Sequence, residues 1–218
     1  MNNKTIIFDA DGTLIDSLWV WDNLVLNFLQ EKQLNIEPNL HDKLWSMSFN
    51  EGIYYIKEKY NLDESFDQIN SILLSRLQNA YQNEVSIFDN VVHILKELKN
   101  KEYFLIVASA SDKKLLKLCF LKHDILKYFD YVITERDLNI SKTNHLFFTK
   151  LLKDFNLDSC NTILIDDSIF AIKSANKAHI KTIGILNGTN KEIFENVCDL
   201  TVNSIGDLNE KSINNCWK

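Results

Sequence analysis

Two aspartates, Asp9 and Asp11, stand at the end of the apolar run Thr5-Ile6-Ile7-Phe8, with Gly12 immediately behind them. Side chains alternate along a strand, so a strand here would send both carboxylates to the same side. Gly12 permits a sharp turn and lets a ligand come close to the backbone. Such a pair suits metal-assisted chemistry in which one carboxylate is nucleophile or ligand and the other an acid/base. Further polar residues close other apolar stretches: Ser109 after residues 103–108, and Asp166 and Asp167 after Thr162-Ile163-Leu164-Ile165, with Lys142 in a loop between them. Two like charges about 4 Å apart at an effective dielectric near 20 cost roughly 4 kcal/mol. Carboxylates sharing one cleft therefore need a divalent cation, and an all-oxygen donor set points to magnesium rather than zinc. Lys142 and the Ser109 hydroxyl then suit a phosphate, with strand-end backbone amides assisting. Taken singly, Asp166-Asp167-Ser168 and Ser109-Ala110-Ser111-Asp112 also read as helix caps, and Lys142 as a solvated lysine. Their recurrence at strand ends, in chain order, is what joins them.

The elements that must position these residues follow from apolar spacing. Continuous apolar runs at 5–8, 103–108, 131–134, 162–165 and 182–185, with a weaker one at 200–202, read as buried strands. Between them lie amphipathic helical patterns, carried by Val91, Ile94, Leu95 and Leu98, by Leu115, Leu116 and Cys119, by Phe148, Leu151, Leu152 and Phe155, and by Ile169, Ile172 and Ala175. Strands alternating with helices predict an α/β fold with a Rossmann-like parallel sheet covered on both faces. Ligands of such sheets bind at the carboxyl ends of the strands. From residue 17 to 85 the pattern is helical throughout. Asp16-Ser17 is placed to cap a helix bearing Leu18, Trp21, Leu24, Val25 and Phe28, followed by helices with Leu40, Leu44 and Met47, with Ile53, Ile56 and Tyr60, and with Phe66, Ile69, Leu73 and Leu77. The expected organisation is a catalytic core from 1–16 and 86–218, interrupted by a helical cap over 17–85.

Composition narrows the partners. A formal charge of −6 and few arginines, Arg76 and Arg136, argue against nucleic acid or an anionic membrane. The four cysteines, Cys119, Cys160, Cys198 and Cys216, form no C-x-x-C pair, which counts against zinc or thiol redox chemistry. The apolar run after Met1-Asn2-Asn3-Lys4 is too short for a signal peptide, and no window of about 18 apolar residues offers a membrane span. A cytoplasmic monomer is the expectation. The five histidines show no ligand spacing.

The segments D-A-D-G-T-L (9–14), S-A-S (109–111), the loop lysine Lys142 and I-D-D-S (165–168), in this order, resemble the four motifs of the haloacid dehalogenase-like hydrolase superfamily. The spacing is similar to that of members with a helical cap inserted after the first motif, among them phosphoglycolate phosphatase, sugar-phosphate phosphatases and beta-phosphoglucomutase. The resemblance implies that Asp9 is the nucleophile that forms an aspartyl-phosphate and Asp11 the general acid/base. It implies Mg2+ held by Asp9, Asp11 (through its backbone carbonyl) and one or both of Asp166 and Asp167, with Ser109, Ala110 and Lys142 binding the phosphoryl group. An acid at position 11 fits phosphate esters, since dehalogenases have no use for one and phosphonatases are expected to lack it. Two departures stand out. Lys142 is followed by Thr143 where the family often has proline, and the stretch 47–51 lacks the arginine that a beta-phosphoglucomutase needs for a second phosphate.

The resemblance therefore favours a phosphatase acting on a small phosphorylated metabolite over a phosphomutase. A receiver-like signalling domain and a non-catalytic phosphate-binding module remain alternatives of another class. In the cap, Trp19, Trp21, Trp45, Phe49, Tyr54 and Tyr55 either pack the helices or meet an organic leaving group. Lys43 and Lys57 either face solvent or meet a second anion. Hinges are expected near Ser17 and over 83–88, with opening to admit substrate and closing to exclude water.

Overall fold

The computed structural model describes residues 4–189 and 191–217; the N-terminal residues 1–3, and the parts of the expected core at 190 and 218, lie outside the described residues. In chain order the elements are β1 (Thr5–Phe8), β2 (Ile15–Asp16), α1 (Leu18–Glu31), α2 (Leu40–Trp45), α3 (Phe49–Lys59), α4 (Phe66–Asn79), β3 (Ser86–Ile87), α5 (Val91–Asn100), β4 (Phe104–Ser109), α6 (Lys113–Lys122), β5 (Tyr131–Thr134), α7 (Glu135–Leu138), α8 (His145–Asp154), β6 (Thr162–Asp166), α9 (Ile169–Lys177), β7 (Lys181–Ile185), β8 (Leu200–Val202) and α10 (Glu210–Asn215). The chain separates into two compact units: the segments up to Asp16 and from Val85 onward form one, and Ser17–Glu84 the other.

The first unit is an α/β layer structure. Its parallel sheet has the order β5-β4-β1-β6-β7-β8. β1 lies at the middle, with Ile7 in register with Ile106 on one side and Leu164 on the other. Its apolar residues are fully buried, which is why the run is continuous rather than alternating. From β1 the chain builds outward through β4 and β5, then returns to build the other half through β6, β7 and β8. The direction of winding reverses at β1, so the crevice where crossovers diverge lies beyond its carboxyl end. Ile7, Ile106, Leu164, Phe147, Phe148, Leu151, Ile172 and Phe194 form the core on one face.

Several boundaries differ from the sequence expectation. Tyr103 falls outside β4 because its N–H closes the end of α5 on Leu98 O, at 3.1 Å. The short β2 and β3 were not expected; they pair antiparallel, Ile15 with Ile87 and Asp16 with Ser86, so Asp16 belongs to a strand. Ser17 occupies the N-cap position of α1 without a side-chain capping bond. α7 and α10 are too short to announce themselves by periodicity.

The second unit is helical, α1 to α4 followed by a π-helical turn at Ala80–Glu84. Capping boxes at Ser48 with Glu51 and at Ser65 with Gln68 start α3 and α4. Met47 lies beyond α2, in the turn that Ser48 ends. Its interior is the buried stripe Leu24, Phe28, Ile53, Ile56, Ile69, Leu73 and Leu77. Trp21 packs edge-on to Phe49 and donates to Tyr81 Oη at 2.9 Å, and Tyr54 stacks on Phe66. Lys43 is held by Glu37 at 3.0 Å, and Lys57 by the carbonyls of Leu62 and Glu64. Both lysines thus brace the helices.

Candidate active site

β1 ends at Phe8, and its ladder extends one bond further, from Asp9 N–H to Ile165 O at 2.9 Å. Beyond it the chain folds on itself: Ala10 O accepts from the N–H groups of Thr13, Leu14 and Ile15. Gly12 supplies the left-handed backbone, φ +81°, that this turn requires. Strand alternation is therefore not what orients Asp9 and Asp11, since both stand past the strand. Asp9 is nearly buried, at 5 % exposure, while Asp11 is half-buried.

The neighbouring strands bring the other residues to the same end of the sheet. Ser109 closes β4; its hydroxyl accepts from Ser111 N–H at 3.0 Å and donates to Asp11 Oδ2 at 3.4 Å. Ala110 follows in the loop, exposed. Asp166 ends β6, fully buried, and accepts from Ser168 N–H at 2.8 Å, which starts α9. Lys142 reaches in from the loop after α7. Its ammonium donates to Asp9 Oδ1 and to Ala108 O, and lies 3.0 Å from Asp166 Oδ2. An oxygen from each of Asp9, Asp166 and Asp167 falls within 4.8 Å of the others. The Asp11 carboxylate is not in that group.

Glu135, at the start of α7, was not anticipated. Its carboxylate accepts from Lys142 N–H at 2.6 Å and from the Ser141 hydroxyl at 2.9 Å, which fixes the loop carrying the lysine. No local pattern ties residue 135 to residue 142.

The electrostatics are those of too many carboxylates around one ammonium. Burial raises Asp9 well above the ordinary carboxylate range, helped by Asp166, Asp167 and Asp11 and opposed by Lys142. Burial likewise raises Asp166 against the pull of Lys142, and burial with Asp166 pushes Asp167 up to about 7. Burial works against the charge of Lys142, but Asp166 and Asp9 hold it protonated far above its usual range. Asp166 Oδ2 is fully buried, and the group that faces it is the Lys142 ammonium it shares with Asp9. Three carboxylates that share one ammonium and bring an oxygen each within 4.8 Å of the others are an all-oxygen donor set that suits a hard divalent cation of the magnesium type. With such a cation, the arrangement is equipped to bind a phosphoryl group and attack it with a carboxylate.

Residues 6–185 match the model of a family described as haloacid dehalogenase-like hydrolase. Among curated proteins the chain is similar to a pyrophosphatase, PpaX, of Oceanobacillus iheyensis, 24 % identical over 196 residues that span 85 % of this chain and 84 % of that one. Among solved structures it resembles a predicted phosphoglycolate phosphatase from Haemophilus somnus, with a TM-score of 0.78 at 20 % identity over 95 % of this chain and 96 % of the other. It also resembles a beta-phosphoglucomutase from Clostridium difficile, with a TM-score of 0.75 at 20 % identity over 99 % and 97 %.

Proposed function

Since the chain belongs to the haloacid dehalogenase-like hydrolases, we propose that it is a phosphatase that hydrolyses a small phosphorylated metabolite through an aspartyl-phosphate on Asp9. The observation that carries this reading is the meeting of Asp9 from the end of β1, Asp166 from the end of β6 and Lys142 from the loop after α7, all far apart in sequence. In the first step an Asp9 carboxylate oxygen forms a bond to phosphorus as the ester oxygen leaves, and Asp11 gives its proton to that oxygen. In the second, water attacks the same phosphorus and surrenders its proton to Asp11; inorganic phosphate departs and Asp9 is again a carboxylate. Lys142, the Ser109 hydroxyl and the Ala110 backbone N–H hold the non-bridging oxygens.

Asp9, Asp166, Asp167 and the backbone carbonyl of Asp11 would hold Mg2+, which when bound offsets charge on the transferring group. Such an ion also lets Asp9 be ionised, as a nucleophile must be. The test is phosphate release from a panel of sugar phosphates, phosphoglycolate and, in view of the PpaX likeness, pyrophosphate, run with magnesium and with EDTA. Turnover is expected with magnesium and none with EDTA. Release that survives EDTA refutes the metal assignment, and silence on every substrate refutes the phosphatase. Conversion of a hexose 1-phosphate to its 6-isomer would instead establish a mutase. Lys43 and Lys57 are tied within the helical unit, to Glu37 and to the carbonyls of Leu62 and Glu64, which supports the phosphatase over the mutase.

A further inference from the structure

We infer that Asn187, just past the end of β7, is a positioning residue for the turn that carries Asp11; the inference rests on the phosphatase reading above. Its carboxamide N–H donates to the backbone carbonyl of Gly12, across 175 positions of sequence. Gly12 is the loosest link of the site turn, because without a Cβ its ψ has few limits. The Asp11–Gly12 peptide is held on its N–H side by Ile15 O at 2.9 Å. The Gly12–Thr13 peptide is held on its carbonyl side by Asn187. Between them these bonds hold the two peptides that flank Gly12, and so tie the chain leaving Asp11 to the end of β7.

Asn187 is itself anchored. Its N–H donates to Asn203 O at 2.9 Å, in continuation of the β7–β8 ladder, and Asn203 N–H in turn donates to Asp207 Oδ2 at 3.1 Å. Its backbone is left-handed, φ +44°, a conformation that asparagine tolerates and most side chains do not. A side chain whose donor reaches the nucleophile turn from the far half of the sheet couples the two halves at the crevice where they diverge.

Two substitutions separate this role from a purely structural one. Asn187→Gly keeps the left-handed backbone and removes the donor; Asn187→Asp keeps the shape and replaces the donor with an acceptor. A misplaced acid matters most when the leaving group needs its proton. Both variants are expected to lose about 10- to 100-fold in kcat/KM on an alkyl phosphate. On p-nitrophenyl phosphate, whose leaving group departs without protonation, the loss is expected to stay within about 3-fold. Equal losses on the two esters, or none on either, overturn the inference. Should neither variant fold, the wild type decides by NMR: slow exchange of the Asn187 carboxamide protons supports the bond to Gly12, and exchange at the rate of a free asparagine overturns it. Wild-type protein that turns over neither ester fails the phosphatase reading itself, and is told apart by needing no variant to show it.

Discussion

Lys142 sits between Asp9 and Asp166 with almost no exposure, so each partner depends on the others. Replacing it with methionine leaves buried carboxylates without a cation, and breaking a buried pair in this way costs about 3–5 kcal/mol. Urea unfolding of metal-free Lys142→Met at pH 8 should show that loss, and a stability equal to wild type would contradict the pairing. The acids make a second, pH-dependent prediction. Asp167 is ordinarily near 3.8 and in the fold is pushed up to about 7. Below pH 4 it is protonated in both states and costs nothing. Between pH 4 and 7 the unfolded chain ionises this acid while the folded chain resists ionising it, so metal-free stability falls over that window and levels off above it. Saturating magnesium should flatten the decline; a melting temperature that rises from pH 4 to 7 without metal would contradict it. Asp9, Asp166 and Lys142 were legible as candidates because each ends or follows a strand that sequence alone delineates. Glu135 and Asn187 were not, because each meets its partners through contacts that no local spacing announces.

At the scale of elements, β7 shows how tightly the sheet is covered. A Cβ on Gly184 would come within 2.7 Å of Phe194 and 2.9 Å of Cys198 Sγ, so the strand has room only for glycine. Gly184→Ala is expected to cost about 1–3 kcal/mol through overpacking, read as a lower urea midpoint at unchanged slope. No change in midpoint would mean the cover over β7 yields freely. The long strands could be read in advance because both faces are buried and the apolar run is unbroken. β2 and β3 could not, being two residues each, with nothing but a partner far along the chain to define them. Tyr103 is apolar in pattern yet closes a helix instead, with its hydroxyl 3.1 Å from Asn214 Oδ1 and 3.2 Å from Glu210 Oε1. That competition between a strand and a helix end is decided by tertiary contacts.

At the scale of the whole molecule, the β2–β3 ladder sets Asp16 beside Ser86 within the first unit, so the chain leaves and re-enters that unit at neighbouring points. An inserted segment attached in this way adds little to the closure of the sheet. Replacing residues 17–84 by a short glycine-serine linker should therefore leave a folded core with cooperative unfolding, checked by circular dichroism and urea titration. A chain without a cooperative transition would show that the core needs the helical unit to fold. The central claim, that Asp9 carries the phosphoryl group, has a direct measurement. Enzyme mixed with a turned-over phosphate ester and magnesium is quenched in acid within the first turnover, digested, and weighed by mass spectrometry. The peptide containing Asp9 should gain the mass of one phosphoryl group, and the gain should be absent in Asp9→Asn. Turnover with no phosphorylated peptide at any quench time, or with the group on another residue, would contradict the account.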